Sequence, residues 1–184
     1  MARTENDFEK MKLTKASTNK AACNMYLDSF GIGKVRIQNF DYDSKNSIEC
    51  YLDFEELALL ATDCMTGKLM KELDGGQKIL GMKGSAKSKN YNGAPESRIL
   101  SIGKSNDKIF VNMTRGKGKL GDKGQIMPDG QPDLKLSVGM PVDKFRSMMI
   151  YSYDCVKAYL VNNINKTYKE VEEARAQASA NPIE

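Results

Sequence analysis

The residues able to do chemistry in this chain are lysines and arginines, and they are concentrated. Between Lys68 and Lys123 stand thirteen Lys/Arg against five Asp/Glu, a net +8, which leaves fifteen against nineteen, or −4, for the rest of the 184 residues. Within this band the cations alternate with glycines, as in Met82-Lys-Gly-Ser-Ala-Lys-Ser-Lys-Asn-Tyr-Asn-Gly93 and Thr114-Arg-Gly-Lys-Gly-Lys-Leu-Gly-Asp-Lys-Gly124. Lysines neutralise phosphates and release counterions, which gives sequence-independent affinity for a polyanion. Glycines let backbone N–H groups approach the same phosphates. The expected nucleic-acid-binding residues are Lys83, Lys87, Lys89, Tyr91, Arg98, Lys104, Lys108, Arg115, Lys117, Lys119 and Lys123. Tyr42, Tyr51 and Phe110 are further candidates for stacking on bases.

Other chemistries are limited by what is missing. The chain has no histidine, so Ser-His-Asp, Cys-His and imidazole-based acid–base arrangements cannot be built. Cys23, Cys50, Cys64 and Cys155 stand far apart without a C-x-x-C pair, the pattern of buried thiols rather than a metal centre. Gly116-Lys-Gly-Lys-Leu-Gly121 matches the letters of a dinucleotide fingerprint, but it continues into Asp-Lys-Gly-Gln-Ile-Met-Pro, which cannot open a phosphate-binding helix. No P-loop is present, and no cofactor is expected. Asp41, Asp43, Glu49 and Asp53 cluster in sequence and raise a two-metal nuclease, which requires that carboxylates converge. Asp41 and Asp43 suit a solvated turn, and Asp53 suits a helix N-cap.

Several elements can be expected to position these groups. Ala22, Tyr26, Leu27 and Phe30 have helical spacing and stop at Gly31, which predicts a short helix from Ala16 to Phe30. Lys34–Phe40 and Ile48–Leu52 alternate apolar and polar residues around a turn-rich Asp41–Asn46, predicting a hairpin. Asp53-Phe-Glu-Glu56 reads as a capping box opening a helix that ends at Gly67. Strands are expected at Gln77–Met82, Arg98–Gly103, Lys108–Thr114 and Leu134–Met140, with Arg115–Asp133 long enough to hold a hairpin. Pro141 then opens a helix whose face is traced by Phe145, Met149, Ser152, Val156, Tyr159 and Leu160.

The domain plan is a flexible N-terminus over residues 1–12 and one binding domain over 13–164. A charged extension, helical or disordered, occupies 165–184. The fold class is α+β, a curved antiparallel sheet backed by helices. Aligning Phe54 with Phe145 also aligns Leu57 with Met148, Asp63 with Asp154 and Cys64 with Cys155. The chain therefore reads either as two strands-then-helix units related by a pseudo-twofold or as two amphipathic helices that coincide.

Of the expected helices, Phe54–Gly67 is acidic at its start and Val142–Asn163 carries only Lys144, Arg146 and Lys157, whereas a duplex major-groove reader needs a basic helix. A sheet with basic loops and scattered aromatics suits a single strand instead. In layout over residues 33–163, with units Val35–Gly67 and Ile79–Asn163, the chain resembles the Whirly and positive-cofactor-four-like single-stranded nucleic-acid binders. Lys83-Gly-Ser-Ala-Lys87 and Arg115-Gly-Lys-Gly-Lys119 are loose counterparts of that group's lysine-glycine patch. The resemblance implies a curved sheet backed by helices, homodimers or tetramers packed through the helices, and binding of single strands. In this chain the first unit shows only two clear strands.

The expected function is therefore non-enzymatic single-stranded DNA binding with weak sequence preference, DNA being favoured over RNA. An adaptor that meets an acidic protein partner is the alternative, and the carboxylate nuclease is a third. No signal-peptide core or apolar run of membrane-spanning length occurs, so a cytoplasmic protein with no membrane partner is expected.

Overall fold

The computed structural model describes residues 12–82 and 84–180. The expectations placed on residues 1–11, on Lys83 and on 181–184 lie outside the described residues. The chain is α+β and runs as four antiparallel strands, two helices, four more antiparallel strands with a short inserted one, and a long helix. The first sheet is a meander of β1 (Lys12–Ser17), β2 (Ala21–Tyr26), β3 (Lys34–Asp41) and β4 (Ser47–Asp53). Helices α1 (Phe54–Thr66) and α2 (Lys68–Asp74) follow it. The second sheet holds β5 (Lys78–Met82), β6 (Glu96–Ser105), β7 (Lys108–Leu120), β8 (Ile126–Pro128) and β9 (Leu134–Pro141), and α3 (Val142–Ala180) completes the described chain.

The predicted Ala16–Phe30 helix is a hairpin, β1 and β2. The apolar residues at 22, 23 and 25 satisfy either period, and the turn decides between them. Thr18 Oγ1 accepts from the backbone N–H groups of Lys20 and Ala21 at 3.2 and 3.0 Å, closing Ser17-Thr-Asn-Lys20. β2 then lies between β1 and β3 with residues 22–26 buried on both of its faces, burial that a surface helix would not provide. The first unit therefore has four strands rather than the two legible in its sequence.

In the second unit β7 pairs with β6 along one edge. On the other edge it pairs with β9 over Lys108–Arg115 and with β8 over Gly118–Leu120. Removing the β8 excursion leaves a meander β5-β6-β7-β9, so the order of four strands then helix occurs twice. The helix correspondence holds for the apolar anchors: Phe54 and Phe145 are buried, as are Leu57 and Met148. It fails for the acids. Asp63 is buried between Lys68 and Lys78, whereas Asp154 is exposed and pairs with Lys157.

One core joins the units. Val35, Ile37, Cys50 and Leu52 from the first sheet meet Leu100, Ile102, Val111 and Met113 from the second, and Leu57, Leu60, Phe145 and Met149 cover them from the helices. Each such aliphatic side chain taken out of water contributes about 1.5–3 kcal/mol. Asn39 is fully buried at the sheet–sheet contact, and its Nδ2 donates to the carbonyls of Val111 at 2.9 Å and Leu136 at 3.4 Å. α1 begins as its sequence predicts, with Glu56 accepting from the Asp53 backbone N–H at 2.9 Å. It stops at Gly67, whose φ of 74° is left-handed. Among the described residues no helix is long and apolar enough to cross a membrane.

Candidate nucleic-acid interface

The glycine-lysine stretch beyond the expected Lys108–Thr114 strand is the distal half of strand β7. Side chains alternate along a strand, so Arg115, Lys117 and Lys119 share one face and Gly116, Gly118 and Leu120 the other. Glycine usually weakens a strand, but here the opposite face admits nothing larger. A Cβ at Gly116 would lie 2.9 Å from Pro132 Cα, and one at Gly118 would lie 2.9 Å from the Ser97 backbone nitrogen and 2.8 Å from Ile126 Cγ2. The spacing that imitates a dinucleotide fingerprint is therefore a packing pattern. It presents a row of three cations along one side of a hairpin arm.

The loop preceding β6 is anchored beside that row by Glu96, which is fully buried. Its carboxylate accepts from Ser88 Oγ at 2.6 Å and Asn90 Nδ2 at 2.7 Å, and it pairs with the Arg98 guanidinium. Burial alone would raise its pKa, but the hydrogen bonds from Ser88, Asn90 and Arg98 outweigh it and hold the pKa below the ordinary carboxylate value. Tyr91 is tied down separately. Its hydroxyl donates to the Asp133 carboxylate at 2.6 Å, and burial together with that carboxylate pushes the phenol up to about 12. Tyr91, Asn90, Asn92 and Lys117 line a groove of about 410 Å³ between this loop and the β7–β8 arm.

The other expected residues divide clearly. Lys87, Lys89 and Lys123 are exposed around the same end of the sheet, on the anchored loop and at the tip of the β7–β8 turn. Arg115 stands directly across from Arg98 in the β6–β7 ladder. Arg98 is committed to the structure, since it pairs with Glu96 and its Nη1 donates to the Glu49 carbonyl at 2.9 Å. Lys104 and Lys108 flank the opposite end of the hairpin, and nine residues of strand put Lys108 about 30 Å from Lys117. Lys104 is also neutralised by Asp74 at 2.5 Å. These two residues do not join the row. Phe110 points to the far face of the second sheet, its ring over Gly139.

A second surface adjoins the row, and most of it was not legible in the sequence. The face of the first sheet turned away from the core is concave, and side chains from all four strands line one groove of about 660 Å³. Tyr26, Phe40 and Tyr42 supply rings, Lys12, Lys15 and Arg36 positive charge, and Asn24, Gln38 and Glu49 hydrogen-bonding groups. Tyr51, on the same face of β4, is half-buried. Glu49 lines this groove and also the small cleft containing Arg98 and Arg115, so the aromatic groove and the basic row meet at β4. Only Tyr42 of the groove's rings was singled out from sequence, because reading 16–30 as a helix hid the face on which Asn24 and Tyr26 lie.

The carboxylates Asp41, Asp43, Glu49 and Asp53 do not converge. Asp41 accepts from the Ser44 backbone N–H at 2.7 Å and closes the β3–β4 turn, Glu49 pairs with Arg36 at 2.6 Å, and Asp53 pairs with Lys34 at 2.6 Å. Among the described residues no three Asp, Glu, Cys or His side chains are placed to hold a metal ion. Cys23, Cys50 and Cys64 are buried cysteines, and Cys155 is half-buried. Burial pushes the thiols of Cys23 and Cys64 up to about 12 and about 11. Neither a family model nor a curated protein sequence matches this chain.

Proposed function

We propose that this chain is a non-enzymatic single-stranded nucleic-acid-binding protein of the cytoplasm, with DNA favoured and weak sequence preference. The observation that carries the reading is the junction of two surfaces at β4. One is a curled sheet face lined by Tyr26, Phe40 and Tyr42; the other is the cationic row Arg115, Lys117, Lys119. Single-strand binders combine these two parts, aromatic faces for bases and a positive track for the backbone. Lys87, Lys89, Arg115, Lys117, Lys119 and Lys123 stand on strands and loops rather than on an α-helix, which disfavours major-groove reading of a duplex. The twofold order of four strands then helix adds support to the Whirly and positive-cofactor-four-like resemblance.

Self-association through α3 belongs to the same proposal. This helix leaves Tyr151, Leu160, Val161 and Ile164 exposed, an apolar set for which a second copy is the proposed cover. The test of function is fluorescence anisotropy with labelled 30-mers of single-stranded DNA, single-stranded RNA and duplex DNA at two salt concentrations. Tighter binding of single strands that weakens as salt rises is expected. Equal affinity for duplex, or affinity indifferent to salt, refutes the reading. Capture of an acidic protein that survives nuclease treatment, with no oligonucleotide binding, would favour the adaptor instead.

A further inference from the structure

We propose that the concave face of the first sheet is a base-reading pocket, taking an unstacked adenine or cytosine through its amino group. This proposal rests on the single-strand reading above. It starts from the hydrogen-bond chain that crosses the groove floor. Arg36 is held by Asp28 at 2.9 Å and by Glu49 at 2.6 Å, and its guanidinium lies 3.9 Å from the Tyr26 ring centroid. Glu49 Oε1 also accepts from Gln38 Nε2 at 3.0 Å, which orients the Gln38 amide with its oxygen turned the other way. That oxygen accepts from the Tyr26 hydroxyl at 3.0 Å and, weakly, from Asn24 Nδ2 at 3.5 Å.

The orientation of Asn24 follows. Turned about, its amide would set oxygen against the Gln38 oxygen, so Nδ2 must face Gln38 and Oδ1 is the atom left over. Asn24 is 6% exposed, and among the described residues its buried Oδ1 has no hydrogen-bond partner. A buried acceptor of this kind is costly to leave unmade, and natural structures seldom do so without a reason. What the floor lacks is therefore a donor. Adenine and cytosine each present an amino group beside a ring nitrogen acceptor. Asparagine reads such a pair bidentately, Oδ1 taking the amino hydrogen and Nδ2 donating to the ring. The weakly held Nδ2 has a hydrogen to give. Thymine presents carbonyls where these bases carry the amino group and leaves Oδ1 without that donor.

The walls suit the same occupant. One face of Tyr26 is covered by Arg36, while Phe40 and Tyr42 stand edge to face with centroids 5.7 Å apart. Lys15 Nζ lies 5.9 Å from the Tyr42 ring centroid and enters no ion pair among the described residues, which leaves it for the phosphate of the inserted nucleotide.

The test changes the ligand before it changes the protein. Labelled 12-mers of dA, dC, dT and of a purine deoxynucleoside lacking the amino group are titrated at one salt concentration. The dA and dC strands are expected to bind about tenfold more tightly than dT and the amino-free purine, the size of one buried hydrogen bond. Asn24→Leu should remove that discrimination. Lys117→Glu with Lys119→Glu should weaken all four strands and keep it. The purine comparison needs no variant, so a misfolded Asn24→Leu protein cannot obscure the result. Competition by dAMP only at far higher concentration supports a strand as the occupant, whereas dAMP as tight as the 12-mer overturns it. Salt-sensitive binding of all four strands with equal affinity overturns the pocket alone. No binding of any strand overturns the single-strand reading itself.

Discussion

Reversing Lys117 and Lys119 should change how binding responds to salt, and the structure sets the size of the change. Of the basic residues expected to bind, Lys87, Lys89, Arg115, Lys117, Lys119 and Lys123 lie at one end of the second sheet, and among the described residues none of the six enters an ion pair. Arg98 and Lys104 are neutralised by Glu96 and Asp74, and Lys108 sits at the far end of the hairpin. Each phosphate contact on a single strand contributes about −0.7 to the slope of log K against log salt, so six contacts give about −4. Between 50 and 200 mM salt the affinity should then fall about 300-fold. Lys117→Glu with Lys119→Glu removes two contacts, lowering the slope to about −3 and the loss to about 50-fold. Anisotropy titrations at four salt concentrations measure both slopes. Lys104→Glu with Lys108→Glu serves as the control and should leave the slope where it was. A double variant at 117 and 119 with an unchanged slope, or a control that changes it equally, refutes the assignment of the binding track to β7.

Three further outcomes test the scaffold of the site. Glu96→Gln should destabilise the protein by about 1–3 kcal/mol near neutral pH, since it removes the charge that Ser88, Asn90 and Arg98 hold in place. The folded pKa of Glu96 is depressed, so its stabilising contribution is present above the ordinary carboxylate value and is lost as pH falls through the folded one. Urea melts of the two proteins should therefore converge in acid, and a gap that is constant with pH refutes the anchor. Gly118→Ala drives a methyl to 2.9 Å from the Ser97 backbone and should cost about 1–3 kcal/mol, read as a lowered Tm; an unchanged Tm contradicts the packing role. In the native protein a thiol reagent at pH 8 should modify Cys155 readily and Cys23, Cys50 and Cys64 only on unfolding, so rapid reaction of more than one thiol contradicts the described core.

What the sequence determined by itself was whatever depends on neighbours a few residues away. The Asp53–Glu56 capping box, the stop at Gly67, the helix opening after Pro141, the hairpin across Asp41–Asn46 and the hairpin within Arg115–Asp133 are local, and the structure contains each of them. The +8 band was legible as composition. Tertiary structure decided the remainder, because the same letters suit more than one period until distant partners are in place. Residues 16–17 and 21–26 become strands when β3 offers β2 a second pairing edge. Gly116 and Gly118 stay in a strand because Pro132 and Ile126 press on them. Which cations remain available is set by Asp74 and Glu96, 30 and two residues from the bases they neutralise, and no count of lysines shows that pairing. The groove of Asn24, Tyr26, Phe40 and Tyr42 exists only once four strands curl together, since its lining comes from every one of them.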